Sequence, residues 1–214
     1  MKKILFFIIP LCFIGSCNKS TVSKETVVYH NDFETSDLSN ITNGTITQFN
    51  NSAVLGRYND TSFTLSLKAL PNHDLVTISF DLYIHDSWDG SKAAPDGPDI
   101  WAMIVDNSPY IYTTFSNNEC LPNNYCAPQA YPLDYPNTYN SQKTGAFRTD
   151  LPGACSWATS SHGTTMYKIS KTFKHSAKTL TLKCLDKLVQ TNTENPKCDE
   201  SWSIDNINVK AITL

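Results

Sequence analysis

"LVTISFDLYIHD", residues 75–86, decides how the rest of the chain is read. Val76, Ile78, Phe80, Leu82 and Ile84 alternate with Thr77, Ser79, Asp81, Tyr83 and His85. Strand side chains point to opposite faces in turn, so alternation this long means one face on a core and one turned outward. "FTLSLKAL" (63–70) has the same pattern, and "PNHD" (71–74) between the two has turn chemistry. Further strands are expected at "VVYHNDFE" (27–34), "TITQFN" (45–50), "DIWAMIVD" (99–106), "YIYTTFS" (110–116), "TMYKISKTF" (165–173), "KTLTLKCL" (178–185) and "SWSIDNINVKAI" (201–212). No stretch sustains a helical period, although "KCLDKLVQ" (183–190) has room for one turn. Short strands separated by turns predict an all-β fold, an antiparallel β-sandwich or barrel.

Residues 117–162 break this pattern. They are rich in Pro, Asn, Tyr and Ser and hold three of the cysteines downstream of residue 100. A segment of that length without periodicity reads as a long, disulfide-stapled loop across one end or face of the sandwich. Five cysteines fall in the expected domain: Cys120, Cys126, Cys155, Cys184 and Cys198. Spacing favours Cys120 with Cys126 and Cys184 with Cys198, leaving Cys155 free, and Cys126 with Cys155 is a rival. No CxxC or HxxxH spacing points to zinc. With 17 basic against 20 acidic residues and no basic cluster, the charge balance argues against a nucleic-acid partner.

The chain opens "MKKILFFIIPLCFIGSC", whose apolar run from Ile4 to Ile14 is too short to cross a bilayer and suits a signal peptide. Ile14-Gly15-Ser16-Cys17 resembles the bacterial lipobox. The resemblance implies that residues 1–16 are a signal peptide, that Cys17 is acylated, and that the protein is lipid-anchored in a bacterial cell envelope. Asn18 after the cysteine resembles lipoproteins sent to the outer membrane. Residues 17–26 then form the lipidated cysteine and a polar tether, and residues 27–214 a single sandwich domain.

"NDFE" (31–34) and "WSIDNINV" (202–209) place a Phe-Glu strand near the start and an Ile-Asp-Asn strand near the end. That pairing resembles extracellular jelly-roll modules of the concanavalin-like, galactose-binding-like and MAM kinds, in which first and last strands lie side by side. The resemblance implies a structural calcium ion held by Glu34 and Asp205, with Asp32 a weaker candidate. The plainer reading has these carboxylates only capping strand ends.

"DSWDGSKAAPDGPDIW" (86–101) joins two expected strands, and the pattern from Phe80 to Asp106 resembles a group of secreted bacterial sandwich domains. Asp86, Asp89, Asp96 and Asp99 share this loop, and carboxylates so close repel one another unless a cation or hydrogen bonds relieve them. Asp86, Asp89 and Asp99 are therefore candidate calcium ligands. Asp-Gly and Gly-Pro-Asp are also ordinary turn chemistry. Trp88, at the loop entrance, is a candidate platform for a sugar ring, with Asp81, Tyr83 and His85 on the outward strand face as polar partners and Tyr125, Tyr131, Tyr135 and Tyr139 of the long loop nearby. Trp101 reads as core.

Nothing in the chain matches a Gly-x-Ser-x-Gly elbow, a P-loop, HExxH or the Glu-x-Asp-x-x-Glu array of sandwich glucanases. The expected function is a surface-anchored, non-catalytic binding module for a glycan or another cell-surface ligand, with calcium. A polysaccharide-acting hydrolase or lyase, and a structural envelope protein with protein partners only, are the alternatives, since such sandwiches host all three.

Overall fold

The alternating stretch becomes β6 (Leu75–Asp86), the middle of one sheet. It pairs with β12 (Glu200–Thr213) on one side and β10 (Thr164–Lys174) on the other. Beyond β12 come β4 (Ser52–Tyr58) and β3 (Ile46–Phe49), and beyond β10 comes β9 (Arg148–Leu151). β1 (Lys24–Asn31) takes the part of β12 that β4 leaves open, so the first and last strands do lie side by side. The second sheet runs β2 (Ile41–Thr42), β5 (Ser62–Lys68), β11 (Thr179–Lys187), β7 (Ile100–Val105) and β8 (Ser108–Thr114). Every pairing is antiparallel, which makes the architecture the expected sandwich. The computed structural model describes residues 21–118, 120, 122, 126–136, 139–190 and 193–214. The expected signal peptide, Cys17 and Tyr125 lie outside them.

The inward residues of both sheets interleave into one core that includes Ile78, Leu82, Ile84, Phe63, Leu65, Leu182 and Ile204. At one end the core is aromatic. Phe115 packs against Trp88, Trp101, Tyr131 and Tyr167, with ring centroids 4.6 to 6.4 Å apart, and Trp101 meets Trp202 edge-on at 5.9 Å. Burying each such ring is worth roughly 1.5–3 kcal/mol, before the extra from ring geometry.

Several expectations need correction. The first strand begins at Lys24, inside the expected tether. Sequence alternation missed β4 because it is buried on both faces: Leu55 enters the main core while Val54 packs outside it with Phe49, Leu151 and Met166. A strand covered on both sides has no polar face to alternate with. "KCLDKLVQ" makes no helical turn at its start, since β11 continues through Lys187; the helical turn is α1 (Pro196–Asp199), capped by Asn195.

The disulfides are Cys120–Cys126, as expected, and Cys155–Cys198, whereas Cys184 is a free thiol sealed in the core. The alternation of "KTLTLKCL" already placed Cys184 on the inward face with Leu180 and Leu182, out of reach of an end loop. Cys155–Cys198 instead staples the long loop to α1.

Peptide mapping should recover Cys155 linked to Cys198, and Cys184 should resist thiol reagents until the protein unfolds. Replacing Cys155 and Cys198 together by serine releases a crosslink across 43 residues. The loss of unfolding free energy by denaturant titration should approach about 4 kcal/mol on the chain-entropy account.

Candidate functional site

The outward face of β6 carries Asp81 and Tyr83 to the middle of the sheet. Asp81 stands directly opposite Asp205 of β12, where a bulge gives Asn206 a φ of 55°. The bulge turns Asn206 so that its Nδ2 donates to Asp81 Oδ2 at 2.9 Å, while Lys168 Nζ, from β10, donates to Asp81 Oδ1 at 3.1 Å. Lys168 Nζ also lies 4.6 Å from the ring centroid of Phe147, which is 61% exposed. Ser79, Asp81, Lys168, Ser170 and Asn206 thus line a shallow depression, and Phe147 is joined to it through Lys168. Arg148, beside Phe147, pairs with Asp150 through two hydrogen bonds of 2.9 and 3.0 Å.

Glu34 and Asp205 do approach each other. Ser52 Oγ donates to Glu34 Oε1 at 2.6 Å and reaches Asp205 Oδ2 at 3.4 Å, and the Ala53 amide also donates to Glu34 Oε1. Burial pushes the Asp205 carboxyl up to about 6, with Asp81 and Glu34 adding to the rise against the hydrogen bonds of Asn206 and Ser52. Burial, helped by Asp205 and Asp81, likewise pushes the Tyr83 phenol up to about 12. All donors here are oxygen, the type calcium takes, although calcium uses six to eight of them. Asp32 is exposed, and its carboxylate accepts only from the Glu34 amide.

Two expected ligand contacts are buried instead. His85 is sealed under the Phe49–Leu151–Met166 cluster and hydrogen-bonded at both ring nitrogens, to Thr164 and Ser203. Its burial holds the imidazole down at about 3, so it is neutral. Trp88 is fully buried and donates its indole N–H to the Ser201 carbonyl at 2.9 Å. Neither side chain is a surface for a sugar; Trp101 is core, as expected.

The loop of residues 86–99 separates the three aspartates proposed as calcium ligands. Asp86 turns away, its Oδ1 accepting from the amides of Trp157 and Cys155. Asp89 and Asp99 stay together: the Asp89 amide donates to Asp99 Oδ2, while Asn118 and Lys92 donate to the Asp89 carboxylate. Gly90, at φ 64°, lets the loop pack where a Cβ would clash with the Pro128 carbonyl oxygen. Asp199 and Glu200 join Asp89 around a cleft of about 320 Å³. Sequence reading missed these two because the loop closes onto them only in the fold. Burial holds the Asp99 and Glu200 carboxyls well above the usual carboxylate range, and neighbouring carboxylates add to it. Among the described residues, no group of three Asp, Glu, His or Cys side chains is gathered as a metal cage.

No known protein family and no curated protein matches this chain. Among solved structures, dimeric latent PorU from Porphyromonas gingivalis superposes at a TM-score of 0.43 with 8% identity, over 91% of this chain and 14% of that one. A family 35 carbohydrate binding module from Clostridium thermocellum gives 0.39 with 7% identity, over 87% and 98%. The module CBM6cm-2 from Cellvibrio mixtus lichenase 5A, in complex with cellotriose, gives 0.33 with 11% identity, over 86% and 97%. Likeness at this level carries no inference about ligand.

The folded chain holds the Asp205 proton more tightly than the unfolded chain, so this group withdraws stability as pH rises from 3.8 through about 6. In calcium-free buffer Asp205→Asn should therefore stabilise the protein at pH 7, by about 1 kcal/mol after solvent screening. Thermal unfolding across pH should show the gain fade below the lower value.

Proposed function

We propose that the protein is a non-catalytic binding module for a glycan on a cell surface, and that the ligand lies on the outer face of the β6 sheet. The observation that supports this most is the continuous run from the exposed Phe147 ring through Lys168 and Asp81 to Asn206, with contacts of 4.6, 3.1 and 2.9 Å. A sugar ring offers an apolar face to an aromatic side chain and hydroxyls to mixed donors and acceptors. Asp81 accepts, Lys168 donates, and Asn206 does both. These side chains stand on paired strands, so the surface is formed before a ligand arrives.

Calcium belongs to this reading as a structural ion beside the β12 bulge, with Glu34 and Asp205 as its carboxylate ligands. Cys17, acylated, would hold the module at the outer membrane of a bacterial envelope, where a binding surface facing outward meets polysaccharide. The interpretation as hydrolase or lyase, and that of an envelope protein with protein partners only, have no comparable observation behind them.

Purified protein should be retained by at least one soluble polysaccharide in affinity electrophoresis. Phe147→Ala should weaken that retention about tenfold, on the order of 1.4 kcal/mol, with the unfolding midpoint unchanged. Asp81→Asn should weaken it as well. Retention that is indifferent to both variants would remove the ligand from this face. Chelation should lower the wild-type midpoint by more than it lowers that of Asp205→Asn if Asp205 ligates calcium.

A further inference from the structure

The end of the sandwich holds charge that the outer-face platform does not use. Glu200 opens β12 on the same side of the strand as Trp202 and Ile204, so its side chain enters the space between the sheets and is only 2% exposed. Gln190 donates one hydrogen bond to it, but Oε2 has no partner among the described residues. Among the described residues the nearest charges that act most strongly on Glu200 are Asp99, Asp89 and Asp199, all of its own sign. Lys92, the cation on the cleft wall, is held by Asp89 at 3.1 Å and Asp96 at 3.4 Å. A buried carboxyl oxygen left without a partner costs roughly 1–3 kcal/mol. Three like charges around it remove the usual remedy of a salt bridge.

We propose that this cleft binds a compact cationic group, either a hydrated divalent metal ion or the ammonium of an amino sugar, received by Glu200 together with Asp89 and Asp199. The size argues for one of these over a bare ion. The cleft is about 320 Å³, at the lower bound of roughly 300–1,000 Å³ for ligand pockets and about ten times the 30 Å³ share of one water. Asp89, Asp199 and Glu200 all line the space, which gives oxygen acceptors to a substituent on a sugar ring or to an ion that keeps its water shell. Among the described residues Val189 is the apolar side chain on a wall otherwise built of carboxylates, amides, a hydroxyl and Lys92. Ser87 Oγ donates to Asp199 at 2.9 Å and Asn118 to Asp89 at 2.6 Å, so both acids are oriented before any ligand arrives.

The cleft is distinct from the outer-face platform. Glu200 and Asp205 are five residues apart on β12, on opposite sides of the strand and separated by roughly 17 Å. The inference does not rest on glycan binding at Phe147.

The test is isothermal titration and thermal unfolding of the purified protein with calcium chloride, glucosamine and N-acetylglucosamine, on wild type, Glu200→Gln, Asp89→Asn and Asp205→Asn. At least one cationic probe should bind and raise the midpoint, Glu200→Gln and Asp89→Asn should weaken it at least tenfold, and Asp205→Asn should leave it intact. A calcium response lost in Glu200→Gln identifies a metal ion. A glucosamine response absent with the neutral acetylated sugar identifies an ammonium. Glu200→Gln without ligand should unfold no lower than wild type, because an amide of the same shape replaces a carboxyl whose charge the burial already disfavours; if it fails to fold, Asp89→Asn, on the more open wall, decides. Binding of neither cation by wild type, or binding undiminished in Asp89→Asn, would overturn the proposal.

Discussion

Asp81 faces Asp205, and Asp86 faces Glu200, across the ladder that joins β6 to β12. That register places both candidate sites. It brings two acids together in the middle of the sheet and sets Glu200 at its end, level with the loop that leaves β6. A slip of one residue would turn every outward side chain into the core, and the buried neighbours Ile204, Val209, Ile78 and Ile84 forbid it. The single irregularity in the ladder, at Asn206, falls between its two halves and gives Asp81 an amide partner in place of a bare opposing carboxylate.

The loop of residues 86–99 is held in place by its tryptophan. Trp88 drops into the aromatic end of the core and ties its N–H to Ser201, next to Glu200. At the same end Trp202, on β12, donates its N–H across the sandwich to Asp186 of β11 in the second sheet at 2.7 Å. Two indoles thus tie the end of β12 to the loop that leaves β6 and to β11 of the second sheet. The residue that looks most like a ligand platform in the sequence is the anchor that positions Asp89 and Asp99 beside Glu200.

Period-two alternation made the long strands legible, because β5, β6 and β11 each keep one face on the core and one turned outward. It failed where both faces are covered, as in β4, and where neither is apolar, as in β9. Of the candidate site, Asp81, Tyr83, Glu34 and Asp205 were visible, since outward strand positions and chain ends follow from pattern alone. His85 shares the outward parity of Asp81 and Tyr83, yet it is buried, because the long loop crosses that end of the sheet and no local signal says where a loop will lie. Glu200 was invisible for the same reason: an acid after a helical turn reads as surface until strand parity and the closing loop put it inside.

The two acidic groups differ in what offsets them. Around Asp81 and Asp205 the fold supplies Lys168, Asn206 and Ser52, and the carboxylates rest in a network with both signs of charge. Around Glu200 it supplies Gln190 and otherwise more carboxylates. An unpartnered oxygen on a buried acid that is set among further carboxylates is what the proposed cationic ligand would offset. Because Glu200 stands on a strand, and Asp89 on a loop already fixed by Trp88, a ligand there would find its donors in position. Little side-chain or backbone freedom would then be lost on binding, and the attraction between opposite charges would be spent on affinity instead of on ordering the site.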